Sequence, residues 1–144
     1  MPRTLLPCLL LATVWLQGCA PAPHRWYFAP AIEGLVVEAD KPVANSEVRL
    51  VSRHTKSDAR AMTDAKGRFS VRPLRQFVWV VMLIGDPVID FQVEVHRGDR
   101  EYLGFVMTGI GYTPKHLKLK CDLSAPIPPV HGVSDAITYC RRVQ

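Results

Sequence analysis

Within 144 residues, the side chains able to do covalent or acid-base chemistry fall into a few small groups. His131, Ser134 and Asp135 supply the base, nucleophile and acid of an acyl-transfer triad. A triad is defined by geometry, however, and the same three neighbours suit the cap of a helix, the simpler reading. Asp86 and Asp90 flank a loop whose oxygens could hold Ca²⁺, but two carboxylates without a defined loop make a weak site. The histidines His24, His54, His96, His116 and His131 are widely scattered, and neither H-E-x-x-H, G-x-S-x-G nor a phosphate loop occurs. The expectation is a chain that is not an enzyme, with no catalytic residues, metal or cofactor. One domain's length also leaves no room for a catalytic domain plus a separate binding domain.

The start of the chain carries an address. Residues 5–16 (LLPCLLLATVWL) hold ten apolar residues out of twelve behind Met1 and Arg3, which suits a secretory signal and is too short for a stable bilayer span. Leu16-Gln17-Gly18-Cys19 then resembles the lipobox of bacterial lipoproteins, with Gln17 departing from the usual small or β-branched residue. The resemblance implies that Cys19 becomes a lipidated N-terminus, since its thiol forms a stable thioether and two or three acyl chains make anchoring permanent. Ala20 in place of Asp implies the outer membrane, facing the periplasm. The competing readings are an ordinary signal cut nearby and an uncleaved anchor.

With Cys8 in the signal and Cys19 on lipid, Cys121 and Cys140 remain. In an oxidising compartment they are expected to form a structural disulfide; two separate buried thiols or a redox pair are the alternatives, the latter lacking C-x-x-C. Residues 20–30 (APAPHRWYFAP) read as an extended tether, with Trp26, Tyr27 and Phe28 either docking as a first strand or resting at headgroups. The expected division is therefore a signal over 1–18, a lipidated tether over 19–30, and a domain over 31–144.

Short strands separated by Gly, Pro and Asp signals fill that domain. They are predicted at 32–39, 46–52, 60–63, 68–72, 77–84, 88–96, 101–108 and 115–122, with Asp64-Ala65-Lys66-Gly67 closing a hairpin and 77–84 central in a sheet. Ser134–Arg142 begins with cap residues and ends with two cations, which predicts a short helix. The fold class is thus all-β: an antiparallel, transthyretin-like or immunoglobulin-like sandwich of about seven strands with a short C-terminal helix and a disulfide-clipped tail. No βαβ alternation favours a nucleotide-binding sheet.

The elements Gly34-Leu35-Val36, Pro42-Val43-Ala44, Val48-Arg49-Leu50 and Thr63-Asp64-Ala65-Lys66-Gly67-Arg68-Phe69 resemble the carboxypeptidase regulatory-like domain, a transthyretin-like sandwich. The resemblance covers Ile32 to Val71 and implies a scaffold with a non-catalytic accessory role. Transthyretin-like hydrolases of 5-hydroxyisourate carry a Tyr-Arg-Gly-Ser tail, whereas this chain ends Tyr139-Cys140-Arg141-Arg142-Val143-Gln144. Intradiol dioxygenases need two Tyr and two neighbouring His on iron, a set that these scattered histidines do not suggest.

Lys115, Lys118, Lys120, Arg141 and Arg142 make 102–144 the most basic region, five cations against two acids. They either contact anionic headgroups, lipopolysaccharide or an acidic envelope polymer, or guard an edge strand against aggregation, the simpler reading. The leading expectation is a lipid-anchored envelope accessory, structural or protein-binding, with a membrane contact through Cys19 and no nucleic acid partner. The alternatives are a ligand-binding or hydrolase-inhibitor lipoprotein acting through a loop such as His54–Asp58, and a docking lipoprotein of a secretion system.

Overall fold

Alternation of apolar and polar side chains sets the elements. The computed structural model describes residues 24–78, 88–129 and 136–143, and among these every regular element is a β-strand. In chain order they are β1 (His24–Ala29), β2 (Ala31–Glu38), β3 (Lys41–Pro42), β4 (Glu47–Ser52), β5 (Ser57–Met62) and β6 (Arg68–Val71). Then follow β7 (Leu74–Val78), β8 (Val88–Arg97), β9 (Arg100–Ile110), β10 (His116–Asp122) and β11 (Cys140–Val143).

Three sheets result: β1 with β7, a four-stranded sheet in the order β5-β4-β8-β9, and a five-stranded sheet in which β11-β10-β2 are neighbours. On the other edge of β2, β6 pairs with Ile32–Leu35 and β3 with Val37 and Glu38. The inward rows of the two larger sheets meet in one buried cluster, with Ile32, Val36, Leu117 and Leu119 from one and Val48, Leu50, Phe91 and Val93 from the other. Fully burying each such side chain stabilises the fold by roughly 1.5–3 kcal/mol.

Several predicted features differ. The described residues form eleven strands where about seven are expected, because β1, β3, β7 and β11 are short and weakly signalled. The pairing is not wholly antiparallel, since β2 and β10 run parallel from Ala31↔His116 to Val37↔Asp122. Asp64–Gly67 forms the expected turn, but β5 pairs with β4 while β6 pairs with β2, so the turn carries the chain between sheets and closes no hairpin. Asp64 Oδ1 accepts from the amides of Lys66 and Arg68, at 2.9 and 2.8 Å. Gly67 takes φ +73°, and a Cβ there would lie 2.4 Å from the Val36 carbonyl oxygen.

The C-terminal helix is also corrected. Cys140–Val143 is a strand, antiparallel to β10 with Cys121 directly opposite Cys140, and Ile127 and Thr138 form an isolated bridge before it. Terminal cations contribute about 0.3–1 kcal/mol each and a cap residue about 0.5–2 kcal/mol, less than a ladder fixed by a covalent link. The cap residues themselves, Ser134 and Asp135, lie outside the described residues, as do Cys8, Cys19, Asp86 and His131. Residues 24–29 take the docked form: β1 pairs with β7, from His24↔Val78 to Ala29↔Leu74. Phe77 is 50% exposed on that small sheet, so this described part of the apolar run is not a buried central strand; residues 79–84 lie outside the described residues.

Candidate functional site

The outward face of the five-stranded sheet gathers three of the five predicted basic residues. Along β10, Leu117, Leu119 and Cys121 point into the core, which forces His116, Lys118 and Lys120 outward by the two-residue strand period. Lys120 lies opposite Arg141 on β11, and Lys118 lies opposite Val143. Arg142 is opposite Leu119 and belongs by register to the other side, yet at the sheet edge it is exposed and borders a hollow with His116 and Lys118. Lys115 precedes the strand, and its carbonyl oxygen accepts from the Ala31 amide at 3.1 Å.

None of these five cations joins an ion pair among the described residues. Edge protection does not explain Lys118 and Lys120, because β10 is flanked by β2 on one side and β11 on the other. Beside them lies an open groove of about 490 Å³, lined by Leu35 and Val143 with Arg68, Lys118, Lys120 and Glu33 around them. Arg68 is held at 3.0 Å by Asp64, whose carboxyl is kept below its ordinary value chiefly by the Arg68 amide. Cys121 and Cys140 form the disulfide that fastens β11 to this face, with 3.9 Å between their Cα atoms.

The outward face of the four-stranded sheet is different. Asp58 accepts from Arg60 at 2.9 Å and Arg49 at 3.2 Å, and these hydrogen bonds, Arg60's first, hold its carboxyl below the ordinary range. Arg60 reaches Glu47 at 3.7 Å, and Arg53 pairs with Asp90 at 2.6 Å. Asp90 is thereby engaged by a cation, which disfavours the calcium reading. The loop before β5 places His54 in solvent, while Thr55 and Ser57 share a hydroxyl contact of 2.6 Å.

Sequence reasoning missed one group on that face. Glu94 and His96 stand two residues apart on β8, so they share a face, and His96 is opposite Glu101 on β9. One ligand atom from each lies within 4.8 Å of the others. The signal was present: a two-residue Gly98-Asp99 turn, with Gly98 at φ +57°, fixes the hairpin register that brings Glu101 beside His96.

Residues 32–126 match the model of DUF6795, a domain of unknown function, and the chain belongs to that family. The matched stretch contains Lys118, Lys120 and the Glu94, His96, Glu101 group, while β11 with Cys140, Arg141 and Arg142 follows it. No curated protein and no solved structure matches the chain. Among the described residues no helix is long and apolar enough to cross a membrane.

Proposed function

We propose that this chain is a lipid-anchored protein of the bacterial cell envelope. Its Cys19 holds it to the outer membrane facing the periplasm, and its β-domain is a non-catalytic accessory that binds an acidic protein surface. The observation that carries the reading is Lys118 and Lys120 on β10, a strand with neighbours on both sides, and Arg141 opposite Lys120 on the edge strand β11, none of them within ion-pair distance of a carboxylate among the described residues. Cations not tied up in close ion pairs attract and orient an oppositely charged partner. The Cys121–Cys140 disulfide supports an oxidising compartment. The single cluster shared by two sheets supports a sandwich, and the Pro42 and Gly67 turns support the likeness to the carboxypeptidase regulatory-like domain.

A second reading is capture of an anionic amphiphile, a ligand with phosphate or carboxylate beside an apolar part. The groove favours it, because Leu35 and Val143 lie next to Lys118 and Lys120. Radioactive palmitate labelling with membrane fractionation tests the anchor on which both readings stand. Wild-type protein is expected to take up label and fractionate with the outer membrane, and Cys19→Ser to lose both. Label that persists in the variant overturns the assignment.

A further inference from the structure

We infer that Glu94, His96 and Glu101 form a binding site for a divalent transition cation of the zinc class. Two carboxylates and a neutral imidazole match the charge of such an ion, and oxygen and nitrogen donors are those zinc accepts. Glu94 is only 7% exposed. Its Oε1 accepts from Gln92 Nε2, the kind of supporting bond that orients a metal-binding carboxylate. Its Oε2 and the Nε2 of His96 are both buried, and neither has a hydrogen-bond partner among the described residues.

Those two atoms lie 3.5 Å apart. A proton-sharing imidazole and carboxylate close to about 2.7–2.9 Å, whereas two ligands on a tetrahedral zinc with bonds of about 2.0–2.1 Å stand roughly 3.4 Å apart. The observed spacing fits the second arrangement. Glu101, exposed and in register with His96, completes a three-ligand set and leaves a fourth position for water. Calcium and magnesium, which prefer six or more oxygens, fit three protein donors with one nitrogen poorly.

Two neighbouring charges bear on the site. Arg49 Nη1 is 3.8 Å from Glu94 Oε2, but its Nε is engaged by Asp58 at 3.2 Å. Glu47, opposite His96 on β4, is 3.7 Å from Arg60. The cation competes with Arg49 for one carboxylate oxygen and gains the ring nitrogen and Glu101, which Arg49 does not contact within ion-pair distance.

Calorimetric titration of the full chain in detergent with Zn²⁺ alone tests the site, with Co²⁺ absorption as a geometric readout. Saturable binding of one ion per chain and visible bands of tetrahedral Co²⁺ are expected. His96→Gln and Glu101→Gln should each weaken Zn²⁺ binding at least tenfold, while His54→Gln and His116→Gln leave it unchanged. Absence of saturable binding in the wild type overturns the site, as does wild-type affinity in His96→Gln. Glu101 is exposed, so Glu101→Gln leaves the core intact, and wild-type affinity in that variant equally rejects the three-ligand set.

Discussion

The outward faces of the two larger sheets are built alike, from strands with apolar residues turned inward, and they dispose of charge in opposite ways. On β5-β4-β8-β9, Arg49, Arg53 and Arg60 each meet a carboxylate within the same sheet or its bordering loop. On β10 and β11, Lys118, Lys120, Arg141 and Arg142 meet none within ion-pair distance among the described residues, although Asp122 feels the charge of Lys120 and Glu33 lies opposite Lys118. Charges paired in place add little to stability and little to an outside field. Unpaired cations do the reverse: they repel one another modestly and project a potential that an acidic partner can answer. On the function proposed above, the sheet with the satisfied ion pairs is scaffold and the one whose cations stand outside ion-pair distance is the binding face. Glu94, His96 and Glu101 are the exception on the first.

The sharpest way to break the contrast is to release β11. Replacing both Cys121 and Cys140 by Ala opens a loop closed across 19 residues and should cost roughly 3 kcal/mol of unfolding free energy in the chain-entropy treatment. Denaturant melts measure it, and an unchanged midpoint would show that the disulfide does not hold the strand in place. The loss also frees Arg141 from its position opposite Lys120, so the basic row should weaken along with the fold.

A smaller effect is expected from acid. Asp58, Asp64 and Asp122 all titrate below the ordinary carboxylate value, through bonds led by Arg60, the Arg68 amide and the Ser124 hydroxyl respectively. A depressed folded-state value means stability that is present above the unfolded value of about 3.9 and is lost as pH falls through the folded one. Thermal midpoints should therefore hold steady from neutral pH to about pH 5 and decline below about pH 4. Asp58→Asn should flatten part of that decline, and an undiminished acid slope in the variant would remove the paired face from the explanation.

The elements legible from sequence are those whose side chains alternate against a core. Val48 and Leu50, Phe91, Val93 and Val95, and Leu117 with Leu119 are such rows, and all of them are buried in strands. What escaped depends on partners distant in sequence. Nothing local in Lys115–Asp122 distinguishes a parallel neighbour from an antiparallel one, and an Asp64–Gly67 turn looks the same whether it closes a hairpin or crosses between sheets. Arg141 and Arg142 carry the signal of a helix end, yet Cys140 opposite Cys121 makes their segment a strand. The basic residues were visible as a cluster. Whether they guard an edge was not, because that depends on the strand having a neighbour on each side, as β10 has and β11 has not. The Glu94, His96 and Glu101 group needed the β8–β9 register as well as the residue types.

The most direct test of the basic face is crosslinking of the native lipoprotein in cells, comparing wild type with the Lys118→Glu, Lys120→Glu, Arg141→Glu triple variant. These side chains point away from the core, so the variant should keep its melting midpoint within about 3 °C, as surface changes do. The account predicts a discrete crosslinked complex with an acidic envelope protein in the wild type and at least a tenfold loss of it in the folded variant. Equal yield from both, or no protein adduct from the wild type, would contradict it.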